Sequence, residues 1–266
     1  MPYRDIHLEQ KGPIAILTLN RPDIRNALTG RQMVEEIVDA CRVVDKDPSV
    51  SVLILTGAGP AFSGGGNIKD MDKQEGMFSG SPAQIQDNYR RGIQQVPLAL
   101  TQMEVPTIAA VNGPAIGAGC DLACMCDLRI ADSKARFGEI FASLGLVPGD
   151  GGAFFLPRIV GFSKACELAF TCRIIDAEEA LRIGLVSEVT SPERLMDRCM
   201  EIAQEMARQP STSLRMTKRL FHAARDKTLP EALELSAAFQ AICHHTPEHK
   251  KAVADLMAKH GRRVKP

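Results

Sequence analysis

The residues best equipped for chemistry sit at two places where an apolar strand runs through small residues into a helix. In the first, the apolar run Thr107 to Val111 meets the turn Asn112-Gly113-Pro114, passes through Ala115 to Gly119, and enters an apolar helical pattern near Cys120. Such a junction leaves backbone N–H groups unpaired at a helix start, aimed at whatever carries negative charge. Asp121 follows at once. In the second, Val52-Leu53-Ile54-Leu55-Thr56 reads as a buried strand and leads into Gly57 to Met71, which includes Ser63-Gly64-Gly65-Gly66. Two such junctions can hold one oxygen between them, and a carboxyl beside that oxygen can move protons.

Ala61-Phe62-Ser63-Gly64-Gly65-Gly66-Asn67-Ile68-Lys69-Asp70-Met71, followed by Ala109-Ala110-Val111-Asn112-Gly113-Pro114-Ala115-Ile116-Gly117-Ala118-Gly119-Cys120-Asp121-Leu122-Ala123, resembles the two signature segments of the crotonase, or enoyl-CoA hydratase/isomerase, superfamily. The resemblance extends from Leu17-Thr18-Leu19-Asn20-Arg21-Pro22 to about Gly184-Leu185-Val186. It implies an α/β fold, a spiral of repeated β-β-α units with a helical C-terminal region. It also implies an acyl-CoA thioester substrate, no cofactor beyond the substrate's coenzyme A, and homotrimers often paired into hexamers.

By motif position, Ser63 and Ala118 match the residues whose backbone N–H groups hold the thioester oxygen in that family. One fixed donor there is worth roughly 3 kcal/mol in the transition state. Asp121 matches the first catalytic glutamate of hydratases, where dienoyl-CoA isomerases carry aspartate. Phe141 stands where the second glutamate belongs, and a phenyl ring cannot shuttle a proton. Two acids are candidates to replace it: Asp150, one residue from a position where other branches place a working aspartate, and Glu139, which would share the face of Phe141 in an extended segment. Arg25 and Ala27 match the family's nucleotide-contacting loop. Gly65, Gly66, Asn67 and Ile68 match its adenine and pantetheine shelf, and Gly117 is counted with them.

Plainer roles compete at each position. Asp121 could serve only the dipole at a helix start, Asp150 could be a helix cap, and Arg25 an ordinary solvated cation. His245-Thr246-Pro247-Glu248-His249 spells H-x-x-E-H, but Pro247 belongs at a helix start and separates the two imidazoles, so no metal is expected. Ser63 lacks the G-x-S-x-G surroundings of a hydrolase nucleophile, and neither glycine segment fits a phosphate loop or G-x-G-x-x-G. Isomerisation of an enoyl- or dienoyl-CoA needs the least equipment, because one carboxylate can carry a proton between carbons. Hydration, the family's commonest activity, is the close alternative. CoA-thioester hydrolysis or dehalogenation, and a silent acyl-CoA-binding homolog, are the remaining readings.

These groups require a framework to place them. Ile14 to Leu19 reads as a strand, 30–46 as an amphipathic helix with Thr29 and Gln32 at capping-box spacing, and 83–103 as a helix that Pro97 kinks or restarts. Arg136-Phe137-Gly138 marks another turn of the repeat, and a helix follows Gly151-Gly152. Repeated strand–helix units with short connections imply a parallel sheet covered by helices. Strand signals end near Pro192, and four helical patterns follow, so 1–191 is expected to be the spiral core and 192–266 a helical region for oligomerisation. Residues 72–82 read as a loop able to line an acyl pocket.

Composition narrows the function class. In 266 residues, Lys+Arg and Asp+Glu both number 32, which offers no electrostatic footprint for nucleic acid or an anionic membrane. With no tryptophan and two tyrosines, stacking on bases is disfavoured. The 8 cysteines sit inside apolar patterns without a C-x-x-C pair, as small buried hydrophobes do. No apolar run reaches the ~18 residues of a membrane span and the start lacks a signal-peptide pattern, so the expected compartment is the cytoplasm.

Overall fold

The computed structural model describes residues 3–263; Met1, Pro2 and 264–266, the end of the expected helical region, lie outside it. Six strands form the main sheet: β1 (Ile6–Lys11), β2 (Ile14–Leu19), β3 (Val52–Gly57), β4 (Thr107–Val111), β6 (Leu128–Asp132) and β9 (Glu188–Thr190), in the order β1-β2-β3-β4-β6-β9. Only the β1–β2 hairpin is antiparallel; the other pairs are parallel, as helical crossovers demand. A second sheet pairs β5 (Pro114–Ile116) in parallel with β7 (Arg136–Gly138), and β7 with β8 (Ile175–Asp176).

The sheet is covered on both faces, which is why β3 and β4 are buried throughout. Leu17, Leu19, Leu53, Leu55, Ala109 and Val111 share one buried core with Met33, Ile37, Cys41 and Val44, which line one face of α1 (Arg31–Lys46) at helical spacing. The alternate residues Ile14, Ile16, Val52, Ile54, Ile108 and Ala110 face Leu195, Cys199 and Ala203 of α9 (Leu195–Ala207). The first helix beyond residue 192 therefore closes the outer face of the spiral in its own chain.

Between these lie α2 (Ile68–Asp72), α3 (Pro82–Arg91), α4 (Gln95–Gln102), α5 (Ala118–Met125), α6 (Gly152–Val160), α7 (Phe162–Thr171) and α8 (Ala177–Arg182). After α9 come α10 (Ser211–Ala224), α11 (Leu229–His244) and α12 (Pro247–Arg263). Buried Lys218 of α10 reaches Asp127 at 2.8 Å and the Val105 carbonyl at 3.0 Å, and Arg215 donates to the carbonyls of Asp45, Asp47 and Val50. Burial pushes Asp127 up, but bonds from His222 and Lys218 outweigh it and hold its carboxyl down to about 2. The latch that docks α10 is thus an ion pair rather than an apolar face.

One local expectation is borne out in its restart form and another is corrected. The 83–103 helix breaks at Gly92, and Pro97 falls in the first turn of the restarted α4, where its missing N–H costs nothing. Thr29 does not cap α1: its Oγ1 accepts the Asn67 amide at 3.1 Å, and the cap position passes to Gly30.

Candidate active site

The two glycine-bearing junctions interlock. After β3 the chain turns at 58–60 and reaches Ser63, which bridges Ala115 of β5 in parallel: the Ser63 amide donates to the Pro114 carbonyl at 3.1 Å, and the Ile116 amide to the Ser63 carbonyl at 3.0 Å. Ser63 Oγ donates to the Asn26 carbonyl at 2.8 Å and accepts the Gly65 amide at 3.2 Å. The expectation that the Ser63 amide meets a substrate oxygen is therefore corrected. That N–H is spent inside the protein.

The free donor lies three residues on. Among the described residues, the amides of Gly66 and Ala118 have no protein acceptor. Ala118 opens α5, whose first intrahelical bond runs from the Asp121 amide to the Gly117 carbonyl at 3.0 Å. The two amides are neighbours: Gly65, at φ +79°, lies so close that a Cβ there would stand 3.1 Å from the Ala118 nitrogen and 2.3 Å from the Ile116 carbonyl. Glycine is needed again at 119, where a Cβ would meet the Ser63 carbonyl at 2.2 Å.

A third loop buttresses the pair. Buried Asn26 donates from Nδ2 toward the carbonyls of Ala58 and Ala61, both at 2.9 Å, and the Gly64 amide donates to the Arg25 carbonyl at 2.7 Å. Arg25 is thereby fixed beside the Gly64–Asn67 shelf with its side chain exposed, while Ala27 is buried. Asn67 caps α2 by accepting the Lys69 amide at 3.1 Å, and Ile68 is exposed. A Cβ on Gly66 would meet the Met71 Cε at 2.3 Å and the Thr29 Cγ2 at 3.5 Å, and Thr29 lines a cavity of about 620 Å³ whose wall includes Met77 and Ile93 together with the charged Arg31, Glu35, Asp87 and Arg91. Met77 belongs to the 72–82 loop. A larger cavity of about 720 Å³ runs under α10, away from the shelf, and none of Asp121, Glu139 or Asp150 lines either cavity.

Behind the amides is a cluster of three buried acids. Asp121, in the first turn of α5, is 0 % exposed, Glu139 2 % and Asp150 4 %. Among the described residues, both oxygens of Asp121, both of Glu139 and Oδ1 of Asp150 have no hydrogen-bond partner. A carboxylate only accepts, so three facing carboxylates leave one another unsatisfied until some of them hold protons. Burial, and then the charge of Glu139, push Asp121 well above the usual carboxylate range. Burial raises Glu139 to about 7 and Asp150 to about 6. Gly152 makes room for the cluster, since a Cβ there would lie 2.2 Å from Asp121 Oδ1.

The alternative roles of the two aspartates fare differently. Asp150 does not cap α6: the cap is Gly151, with no side-chain bond to the helix. Asp121 does sit at a helix start, yet its carboxyl turns inward against Gly152. Phe141 places its ring beside the same junction, with Cζ 3.7 Å from where a Gly117 Cβ would be. His249 faces His244, Nε2 to Nδ1 at 3.1 Å, while His245 Nδ1 meets the Ala241 carbonyl at 2.8 Å, so the H-x-x-E-H imidazoles point to different partners.

A family model for enoyl-CoA hydratase/isomerase matches residues 9–261. The chain belongs to the enoyl-CoA hydratase/isomerase family. Among its relatives within that family, the crotonyl-CoA hydratase of Syntrophomonas wolfei is 36% identical over 260 residues, 97% of each chain. The short-chain-enoyl-CoA hydratase of Clostridium acetobutylicum is 36% identical over 262 residues, again 97% of each. Of solved structures, an enoyl-CoA hydratase from Bacillus anthracis superposes with a TM-score of 0.90 at 28% identity, covering 96% of this chain and 97% of that one. The protein is thus an enzyme of the hydratase/isomerase family, with the crotonase fold expected from its motifs.

Three features of the candidate site escape sequence reasoning. The motif puts Gly66 on the coenzyme A shelf, Gly152 reads only as a helix start, and nothing local marks Asn26. The first was hidden because four small residues in a row do not reveal which amide the fold leaves unpaired.

Proposed function

We propose that the protein adds water to the double bond of an enoyl-CoA, and removes it in reverse, through an enolate whose oxygen is held by the amides of Gly66 and Ala118. The observation carrying this reading is the pair of buried acids with unlike proton affinity beside those amides. Syn addition through an enolate needs a base for water and an acid for carbon on the same face, and environments that push two carboxyls apart supply both. With a pKa of about 6, Asp150 is ionised at neutral pH and takes a proton from water. Asp121, held well above the usual range, gives its proton to the carbon next to the thioester.

The coenzyme A moiety would follow the shelf of Arg25, Ala27, Gly65, Asn67, Ile68 and Gly117, where Arg25 is the exposed cation suited to phosphate. The 620 Å³ cavity, with Arg31, Glu35, Asp87 and Arg91 in its wall, is of a size for the polar pantetheine arm. Trimers or hexamers would form through α11 and α12, whose Leu233, Ile242, Leu256 and Met257 are exposed. Free thiols at all 8 cysteines suit a reducing compartment such as the cytoplasm.

Isomerisation is the second reading, favoured by the Phe141 ring where an acid that holds water would stand. The two are separated by incubating 2-enoyl- and 3-enoyl-CoA substrates in ¹⁸O-labelled water. Label in a 3-hydroxyacyl product supports hydration, and interconversion of the two enoyl isomers without label supports isomerisation. No turnover of either, with CoA still bound, would leave the silent acyl-CoA-binding reading.

A further inference from the structure

We propose that Glu139 is a positioning residue that keeps a proton between itself and Asp121 throughout turnover, so that Asp121 never ionises unaided. The inference rests on the reading of Asp121 as the acid and deepens it.

Its basis is geometric. The Gly117 amide donates to the Gly138 carbonyl at 2.8 Å, which ties the end of β7 to the start of α5 and brings Glu139 against Asp121. All four oxygens of the two groups are buried without partners, and among the described residues neither takes part in an ion pair. The titratable groups around them are Cys120 and Cys124 of α5 and Asp150 ahead of α6, none of which is a cation. The back of Glu139 is closed by Phe137, Leu156, Leu168, Ile175 and Leu185 around a void of about 10 Å³. Of the two carboxyls around Glu139, Asp121 is the one within side-chain hydrogen-bonding reach, whereas Asp150 acts on Glu139 through its charge.

The proton balance follows. Before reaction both groups are protonated and Asp150 is a carboxylate. Water loses a proton to Asp150, its oxygen bonds to the β carbon, and the Asp121 proton passes to the α carbon. Asp121 is then a carboxylate, and the Glu139 hydroxyl donates to it in place. Loss of a proton from Asp150 and its return to Asp121 through solvent reset the pair. Without the Glu139 proton, Asp121 would ionise beside a second carboxylate in a site without a cation, the arrangement two buried acids avoid.

The test compares Glu139→Gln, whose amide still donates but cannot titrate, with Glu139→Met, which fills the space and cannot donate. In the wild type kcat should fall as pH rises through about 7, where Glu139 loses its proton. Glu139→Gln should keep kcat near the wild-type plateau and lose that fall, whereas Glu139→Met should lower kcat by about 10- to 100-fold at every pH with KM unchanged, the worth of one hydrogen bond to a charged group. Wild-type profiles in both variants, or the same high-pH fall in Glu139→Gln, would overturn the proposal. Should either variant fail to fold, infrared spectra of wild-type protein with ¹³C-labelled glutamate carboxyls decide: a labelled protonated carboxyl band at pH 6 that fades by pH 8 supports it, and its absence at pH 6 overturns it. Full activity in Asp121→Asn would instead remove the acid itself, and with it the hydration reading.

Discussion

Replacing Asp150 by Asn should make the protein more stable and less active at once. Its carboxyl titrates near 6 in the folded chain against an ordinary value of 3.8, and burial is the cause. Between those values the folded state binds more protons than the unfolded one, so the stability associated with the protonated group is complete below 3.8 and is lost as pH rises through 6. An amide cannot ionise and keeps it. At 1.36 kcal/mol per unit, the Asn variant gains about 3 kcal/mol at pH 8, about half that at pH 5, and about nothing at pH 3. Urea melts at these three pH values, on wild type and variant, read the difference directly. The same substitution removes the base, so kcat should drop by about 100-fold or more. An Asn variant no more stable than wild type at pH 8, or a gain that does not change with pH, would refute the assignment of Asp150 as a buried ionised base.

The other predictions bear on the neighbouring groups. Asp121→Asn should lower kcat by about 100- to 10,000-fold while the dissociation constant of a saturated acyl-CoA, measured by calorimetry, stays within a few-fold. Gly152→Ala drives a methyl into Asp121 Oδ1, at 2.2 Å, and should cost about 1–3 kcal/mol in a urea melt together with a loss of kcat. Asn26→Ala strips donors from the buried Ala61 carbonyl and the half-buried Ala58 carbonyl and should destabilise by about 1–3 kcal/mol, with KM rising as the shelf loosens. In the wild type, kcat/KM should fall below pH 6 as Asp150 takes up a proton and stops acting as a base.

How far the sequence shows this site depends on the range of the interaction involved. The strands at 52–57 and 107–111, α1 and the C-terminal helices are written in local periodicity, and Asp121 is marked by the helix start just before it. What escapes local reading depends on contacts between distant segments. Ser63 looks like an exposed turn residue until Ala115 pairs with it, and that bridge decides that Gly66 keeps the free amide. Thr29 has the spacing of a capping box, but the Asn67 amide takes its hydroxyl. Glu139 meets Asp121 only because the second sheet pairs β5 with β7. Strand β1 lies at the sheet edge and mixes Ile6 and Leu8 with charged residues, a weak signal for a strand that pairs on one side. The break at Gly92 was visible as a glycine, yet Pro97 drew the expectation further along the chain.

The central claim is that one thioester oxygen is gripped by two main-chain amides from separate loops. A crystal structure with a saturated acyl-CoA bound tests it most directly. The account predicts the thioester oxygen at about 3 Å from both the Gly66 and Ala118 nitrogens, with the Ser63–Pro114 bridge intact and the carboxyls of Asp121 and Asp150 facing the carbons beside the carbonyl. A thioester oxygen bonded to neither amide, or lodged in the cavity under α10, would contradict it.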